Sequence, residues 1–243
     1  MLKALLHNRR VNVIFQNRDD LNEMVDRGIA FRERTTLIRG SGVDTKIFVP
    51  TIKHNDVPIV LLASRMLWSK GVGKFVELAR MSKRKNIAAR FVLVGEPDPE
   101  NHDAVSLSQL ESWNESGVVE WWGKRENMPE VFGLADIVCL PTTYGEGVPK
   151  VLIEAAACGL PIVTTDVPGC REIVQHDDNG FLVPTGDIGA LFDAVKSLLE
   201  DSVLRSKMGS RGRALVISDF SIEYVIEQTL NLYHEISPRE KCW

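Results

Sequence analysis

Residues 137–163 read Ile-Val-Cys-Leu-Pro-Thr-Thr-Tyr-Gly-Glu-Gly-Val-Pro-Lys-Val-Leu-Ile-Glu-Ala-Ala-Ala-Cys-Gly-Leu-Pro-Ile-Val, and the order of residue types here indicates the fold class. The apolar run 137–140 predicts a strand, the glycine- and proline-containing segment after it predicts a turn, and the apolar run 151–158 predicts a helix. Gly159 and Pro161 end that helix ahead of a second strand at 161–165. Strand, turn, helix and strand in this order predict a βαβ unit with parallel strands.

The same alternation of strand-like and helix-like patterns extends over most of the chain. The run 91–94 is apolar throughout, which is typical of a parallel strand covered on both faces. The predicted fold class is therefore α/β: a single Rossmann-like domain, with a parallel sheet and helices on both of its faces. Strand-like runs occur at 11–16, 35–39, 58–63, 90–94, 118–122, 137–140 and 161–165, and helical patterns occur at 19–27, 70–84, 151–158, 189–199, 202–216 and 222–236.

Composition excludes several classes of function. The chain has 243 residues, of which 44% are hydrophobic, so it can bury a core without disulfides or metals. Its net charge of −4 argues against a general nucleic-acid-binding protein, whose surface is usually strongly basic. The four cysteines form no CxxC pair, which favours a reduced, cytoplasmic compartment. No apolar run reaches the roughly 18 residues that would predict a transmembrane helix.

The turn after residues 137–140 has the features of a phosphate site. In open α/β sheets, ligands bind beyond the carboxyl ends of strands, and this turn lies at such an end. A helix that starts there presents unpaired N–H groups and the positive end of its dipole, and both favour phosphate. Gly145 and Gly147 allow the backbone to approach a ligand closely.

Two carboxylates frame this turn. Glu146 lies in the loop, and Glu154 lies eight positions later, in the second turn of a helix that starts near Pro149. A charge on so apolar a helix needs partners, and sugar hydroxyls can provide them because they donate hydrogen bonds to an ionised carboxylate. The alternative is that Glu154 caps or pairs locally and that Glu146 is a solvated loop residue. The spacing alone leaves both interpretations open.

Other nucleotide-binding motifs are incomplete. Gly40-x-Gly42 and Gly71-x-Gly73 lack the third small residue of a dinucleotide fingerprint, since Thr45 and Val76 stand at that position. No GxxxxGK[ST] sequence occurs. An NAD enzyme and a P-loop NTPase are therefore disfavoured.

The spacing of Glu146 and Glu154, with glycine after the first and Glu-Ala-x-Ala-x-Gly-x-Pro-Ile-Val from the second, resembles the signature of retaining GT-B glycosyltransferases, family 4 in particular. The resemblance implies that the chain is the C-terminal, nucleotide-sugar-binding half of a GT-B fold. It also implies that Glu146 holds the donor sugar, that Glu154 holds the ribose, and that backbone amides of the stretch 147–152 contact the sugar and the phosphates. The residues expected there are Gly147, Val148, Val151 and Leu152.

An upstream segment, Ala-Ser-Arg-Met-Leu-Trp-Ser-Lys-Gly-Val at 63–72, resembles the family's strand–loop–helix in which Arg and Lys stand five positions apart. The resemblance implies that Arg65 and Lys70 are catalytic together with Glu146. An Arg and a Lys can neutralise the charge that develops on a leaving diphosphate without a metal ion. On their own, both residues would be interpreted as solvated loop charges.

Weaker matches extend the resemblance to roughly residues 35–235. Val-Gly-Glu at 94–96 is similar to a family Val-Gly-x-Gly, although Glu96 and Pro97 replace its flexible continuation. Trp-Gly at 122–123, followed by residues 124–128, matches the place where family members contact the base, largely through the backbone. The resemblance thus implies that Gly95, Gly123 and Lys124 also bind the donor.

The function implied is that of a retaining glycosyltransferase donor domain. The enzyme would move a hexose or N-acetylhexosamine from a nucleotide-sugar, foremost a UDP-sugar, to a saccharide or lipid-linked acceptor in bacterial surface polysaccharide assembly. No cofactor or metal ion is expected, since no DxD motif stands beside a suitable strand. The expected location is the cytoplasm, with peripheral contact at the inner face of the membrane, and no nucleic-acid partner is expected. The alternative is a non-catalytic nucleotide-sugar-binding module that acts only with a partner chain.

The resemblance also implies a division of the chain. Residues 1–50 are expected to be a lead-in and remnant of an inter-domain region, 51–217 the Rossmann-like donor-binding domain, and 218–243 a C-terminal helix. The N-terminal acceptor domain is expected to be missing, together with the family's catalytic-site histidine. None of the five histidines falls in a matching motif. The isolated chain is therefore expected to be inactive.

Overall fold

The apolar runs of the sequence form parallel strands in a computed structural model of the protein, which describes residues 6, 8, 11–52 and 55–237. The strands are β1 (Val13–Phe15), β2 (Thr35–Leu37), β3 (Ile59–Ala63), β4 (Arg90–Val94), β5 (Glu120–Trp121), β6 (Ile137–Leu140), β7 (Ile162–Thr165) and β8 (Gly180–Val183). The helices are α1 (Arg18–Asp26), α2 (Val72–Arg84), α3 (Leu107–Glu115), α4 (Met128–Leu134), α5 (Lys150–Ala157), α6 (Cys170–Ile173), α7 (Ile188–Glu200), α8 (Ser202–Asp219) and α9 (Ile222–Ile236).

The larger sheet of the described residues has the strand order β5-β4-β3-β6-β7-β8, and every pair in it is parallel. All residues of β3, β6 and β7 are buried, because helices cover both faces of the sheet. From β3 the chain first builds outward through β4 and β5, and then returns to place β6 on the other side of β3. The predicted α/β fold with a parallel sheet is confirmed, and the reversal creates a crevice at the carboxyl ends of β3 and β6.

A second, two-stranded parallel sheet forms from β1 and β2, which α1 connects. Asn17 begins α1 in an extended conformation, and its side-chain oxygen accepts from the Asp20 amide. This small sheet lies within the segment 1–50. The division of the chain at residues 50 and 217 stays a prediction.

Several elements differ from the sequence-based expectation. Strand β8 and helices α3, α4 and α6 were not predicted, while β1, β2 and β5 are shorter than their apolar runs. In β8 the first residue is Gly180, whose Cβ, if it had one, would lie 2.2 Å from the Ile162 carbonyl oxygen. Close pairing with β7 therefore requires glycine at a place where glycine weakens the strand pattern.

Helix α2 begins at Val72 rather than at Lys70. Residues Trp68–Lys70 form a short 3₁₀ turn, which Gly71 ends with a φ of +80°. A Cβ on Gly71 would lie 2.0 Å from the Pro141 carbonyl oxygen, so the loops after β3 and β6 approach each other here. Within the described part of the chain, no helix has both the length and the apolar composition needed to cross a membrane.

Candidate functional site

A cavity of about 290 Å³ opens at the carboxyl edge of the larger sheet. Ala63 and Val94, the last residues of β3 and β4, contribute apolar surface to it, together with Met128 at the start of α4. Its lining includes five of the residues implied by the resemblance, namely Arg65, Gly95, Lys124, Val151 and Glu154. The sheet therefore brings together side chains that are up to 89 positions apart in sequence.

Glu154 reaches the cavity from the second turn of α5. Its side chain is only 12% exposed, and the Lys150 ammonium lies 3.7 Å away on the preceding turn. Burial raises the pKa of the Glu154 carboxyl, and the neighbouring Lys150 partly offsets that rise. The local pairing that the sequence left open is thus present. The same carboxylate still lines the cavity and can accept hydrogen bonds from a ligand.

Lys70 and Glu146 form an ion pair between the loops that follow β3 and β6. The Lys70 side chain is 10% exposed, and its ammonium also lies 5.1 Å from the centre of the Tyr144 ring. The turn ended by Gly71 sets the position of Lys70, which is the last residue of that turn. A largely buried cation is therefore fixed beside the carboxylate that the resemblance assigns to the donor sugar.

Two further cations at the cavity pair with carboxylates of one loop. Arg65 lies 3.1 Å from Asp98, and Lys124 lies 3.3 Å from Glu96. Both basic side chains are more than half exposed, so these pairs are weak and can exchange partners. An anion that enters the cavity would compete with Asp98 and Glu96 for these two cations.

The start of α5 offers backbone donors. Among the described residues, the amides of Gly147, Val148, Lys150 and Val151, just before α5 and in its first turn, have no hydrogen-bond partner. Unpaired amides at the amino end of a helix form an anion site. The Leu152 amide differs, since it donates to the Pro149 carbonyl at 3.0 Å and its side chain is fully buried. Leu152, which the resemblance placed among the donor contacts, therefore acts in packing here.

Gly95 follows β4 and lies close to the residues that follow the neighbouring strands β3 and β5. Its φ is +137°, and a Cβ at this position would lie 1.8 Å from the Ser64 carbonyl oxygen. Its amide donates to the Gly123 carbonyl at 2.9 Å, and its own carbonyl accepts from the Trp121 indole at 2.8 Å. Gly95 therefore shapes the cavity wall through its backbone, and the Gly123 carbonyl holds Gly95 in place.

The four charged residues that carried the sequence-based hypothesis occur as two groups at one edge of the sheet. Arg65 and Glu154 line the same cavity, whereas Lys70 and Glu146 pair with each other. The two groups are joined along the chain, because Arg65 and Lys70 share the loop after β3, and Glu146 and Glu154 share the β6–α5 segment. Sequence reasoning missed Asp98, for which no motif gave a signal.

The chain is similar in sequence to known glycosyltransferases. The family model described as "Glycosyl transferases group 1" matches residues 43–215. The chain is 32% identical over 236 residues to the N,N'-diacetylbacillosaminyl-diphospho-undecaprenol alpha-1,3-N-acetylgalactosaminyltransferase of Campylobacter jejuni, covering 92% of this chain and 60% of the relative. It is 26% identical over 206 residues to the UDP-Gal:alpha-D-GlcNAc-diphosphoundecaprenol alpha-1,3-galactosyltransferase of Escherichia coli, covering 79% and 52%. The chain thus spans about half the length of these curated relatives.

Solved structures show the same fold. The C-terminal domain of a glycosyl transferase group 1 protein, LpcC of Francisella tularensis, matches with a TM-score of 0.62 and 26% identity, over 74% of this chain and 100% of that domain. The Anabaena protein HepE in complex with UDP matches with a TM-score of 0.81 and 21% identity, over 92% of this chain and 64% of that chain.

Proposed function

Because this chain belongs to the glycosyl transferases group 1 family, as the C-terminal nucleotide-sugar-binding domain of a GT-B fold, we propose that it is the donor half of a retaining enzyme. The enzyme moves a hexose or N-acetylhexosamine from a UDP-sugar to a saccharide or lipid-linked acceptor. The choice of UDP is supported by the UDP bound to the Anabaena protein and by the UDP-galactose in the name of the E. coli relative.

The observation that carries this proposal is the set of unpaired amides at the start of α5, next to a cavity that holds Arg65 and Glu154. The diphosphate binds at these amides, where the helix dipole favours negative charge. Arg65 exchanges Asp98 for a phosphate oxygen, and the Glu154 carboxylate accepts hydrogen bonds from the ribose hydroxyls. Gly95, Gly123 and Lys124 also bind the donor, and the segment of Gly123 and Lys124 contacts the base.

The reaction follows from the charges placed around the diphosphate. The bond between the anomeric carbon and the diphosphate oxygen breaks, and the acceptor oxygen forms the new bond on the same face of the sugar. The acceptor's proton passes to the departing diphosphate. Arg65 and Lys70 stabilise the negative charge that develops on this leaving group, and Glu146 orients the sugar. These side chains supply the charge stabilisation, and no metal ion is needed.

The acceptor class is proposed from the relatives. Two of them carry a diphosphoundecaprenol acceptor in their names, and a third, CapM of Staphylococcus aureus, is named for capsular polysaccharide biosynthesis. We therefore infer a role in surface polysaccharide or glycolipid assembly, with the enzyme in the cytoplasm and in peripheral contact with the inner face of the membrane.

Calorimetry tests the proposal. UDP, GDP and ADP are titrated into the chain, with and without EDTA, and the titrations are repeated on Arg65→Ala and Glu154→Ala. We expect UDP to bind most tightly, EDTA to have no effect, and each variant to weaken UDP binding by about tenfold or more. Arg80→Ala and Glu115→Ala, on the exposed faces of α2 and α3, are matched controls that should bind as the unchanged chain does. Failure of all three nucleotides to bind the folded chain would overturn the assignment.

A further inference from the structure

We propose that Asn17 is a positioning residue for Glu146 and thereby sets the sugar selectivity of the donor site. The inference rests on the proposed function, in which Glu146 contacts the donor sugar. Asn17 lies in the small β1–α1–β2 unit, outside the larger sheet. Neither the Glu-x7-Glu pattern nor any other motif in the sequence points to it.

The Asn17 side chain is completely buried and makes three hydrogen bonds, which use both of its donors and one of its acceptor positions. Its Oδ1 accepts from the Asp20 amide at 2.7 Å, which caps α1. Its Nδ2 donates to the Asp20 carboxylate at 2.7 Å and to the Glu146 backbone carbonyl at 3.1 Å. These three partners fix the orientation of the carboxamide, because only one assignment of O and N satisfies them.

Both the side chain and the backbone of Glu146 are consequently held by hydrogen-bonding partners. Its carboxylate pairs with Lys70, and its carbonyl accepts from Asn17. Without these contacts a residue flanked by glycines on both sides would sample many conformations. Gln16 restricts the same loop further, since its Oε1 would lie 2.2 Å from a Cβ placed on Gly147. The loop is thus set in place before a sugar arrives, which reduces the cost of ordering it on binding.

The β1–α1–β2 unit that contains Asn17 also contacts the rest of the protein through neighbouring residues. The Arg18 amide donates to the Glu172 carboxylate at 2.8 Å, and Arg171 lies 3.3 Å from Asp19. Residues 17–19 therefore attach to both the Glu146 loop and α6. A shift of this unit would move the Glu146 carbonyl and, with it, the residue that faces the sugar.

A purely structural role for Asn17, as the cap of α1, makes a different prediction. Ser caps helices about as well as Asn does, so Asn17→Ser keeps the cap while removing the donor to Glu146. Asp20→Ala removes one Nδ2 partner but leaves both the cap and the Glu146 contact in place, because the cap bond is to the Asp20 backbone amide. If Asn17 only stabilises α1, neither variant changes ligand selectivity.

The experiment measures dissociation constants of the full chain for UDP, UDP-glucose, UDP-galactose, UDP-N-acetylglucosamine and UDP-N-acetylgalactosamine. We expect Asn17→Ser to keep its affinity for UDP but to lose about tenfold in selectivity between the best and the worst sugar. Asp20→Ala should keep both properties. Gln16→Ala, at an exposed position, is a second variant that loosens the same loop and should lower selectivity by about threefold.

Thermal unfolding confirms that each variant is folded before it is titrated. Unchanged selectivity in both Asn17→Ser and Gln16→Ala would overturn the inference. An unchanged chain that binds UDP but does not distinguish the four sugars would overturn it as well, since Glu146 would then not contact the sugar. Absence of UDP binding is a different outcome, because it would remove the proposed function itself.

Discussion

Glu154 is the residue at which function and stability conflict most clearly. A carboxylate that is 12% exposed on an otherwise apolar helix loses hydration, and a single Lys150 at 3.7 Å replaces that hydration only in part. The raised pKa of Glu154 has the same cause. The Glu154 charge therefore destabilises the folded state. A ligand that donates hydrogen bonds to the carboxylate would replace the hydration that it loses on burial.

Glu154→Gln should accordingly raise the melting temperature by a few degrees at neutral pH and weaken UDP binding, because a neutral amide accepts fewer hydrogen bonds from ribose hydroxyls. The pH dependence has a defined sign. A carboxyl whose folded pKa is raised above its ordinary value of 4.5 holds its proton more tightly in the folded state. Its contribution to stability is therefore present below about pH 4.5 and is lost as pH rises through the folded pKa.

Scanning calorimetry from about pH 4 to about pH 8 checks this prediction. The difference in melting temperature between Glu154→Gln and the unchanged chain should be small at the acidic end and should grow as pH rises. Glu115→Gln, on the exposed surface of α3, is the matched control and should show no such trend. A difference that stays constant with pH would show that burial of the Glu154 charge is not its source.

At the residue scale, the sequence predicted the types of group in the site better than their partners. The spacing between Glu146 and Glu154 pointed to both carboxylates because they lie on one short segment. The pairing of Arg65 with Asp98 crosses 33 positions, and that of Asn17 with Glu146 crosses 129. Contacts at such separations depend on how strands and loops pack, and one sequence without a fold does not contain that information.

At the scale of the element, the start of α5 presents a group of unpaired backbone donors. Lys150 is the first residue of this helix, a position at which proline is well tolerated. Pro149 precedes it in an extended conformation, which is the conformation that a following proline favours. One amide can thus be removed here without breaking the helix.

Lys150→Pro and Lys150→Ala form a matched pair, since both remove the ammonium and only the first removes the amide. We expect Lys150→Pro to bind UDP about tenfold more weakly than Lys150→Ala, because a hydrogen bond to a charged phosphate is lost. Binding of uridine, which has no phosphate, should be equal in the two variants. Equal binding of UDP, with helix content unchanged by circular dichroism, would show that the Lys150 amide does not contact the diphosphate.

The strands whose bounds were predicted most accurately are the most buried ones. β3 and β6 are apolar throughout, and β4 and β7 are largely apolar, because helices cover both faces of the sheet. β5 is two residues long, and its Glu120 forms two hydrogen bonds with Arg90 of the neighbouring strand, at 2.7 and 2.8 Å. The run at 118–122 predicted a longer strand, and it gave no sign of this charged pairing at the edge of the sheet.

At the scale of the whole molecule, the strand order decides where the site lies. The sequence predicted a parallel sheet, but no local pattern states that β6 returns to the far side of β3. This reversal brings the loop of Arg65 and Lys70 beside the loop of Glu146, with Gly71 and Pro141 in close approach. The proposed catalytic groups from two distant segments become neighbours through topology and not through spacing.

The extent of the chain determines which steps of the proposed reaction we expect it to perform. The chain spans 60% of the Campylobacter relative, and it covers the whole of the Francisella C-terminal domain. All of the site residues described above are assigned to the donor in the proposed function. We therefore expect the 243-residue chain to bind a UDP-sugar without transferring the sugar, because an acceptor hydroxyl must be held beside the anomeric carbon for the reaction to be fast.

Mass spectrometry of a lipid-linked saccharide acceptor incubated with the UDP-sugar and the chain measures transfer directly. A matched sample fuses the amino-terminal part of the Campylobacter relative to this chain. Transfer by the fusion, lost again in Lys70→Ala, would identify a catalytic donor half, because Lys70 is proposed to stabilise the leaving group. A fusion that folds and binds the UDP-sugar but never transfers it would favour a non-catalytic binding module. Turnover by the 243-residue chain alone would contradict the prediction, since acceptor recognition would then lie within the residues described here.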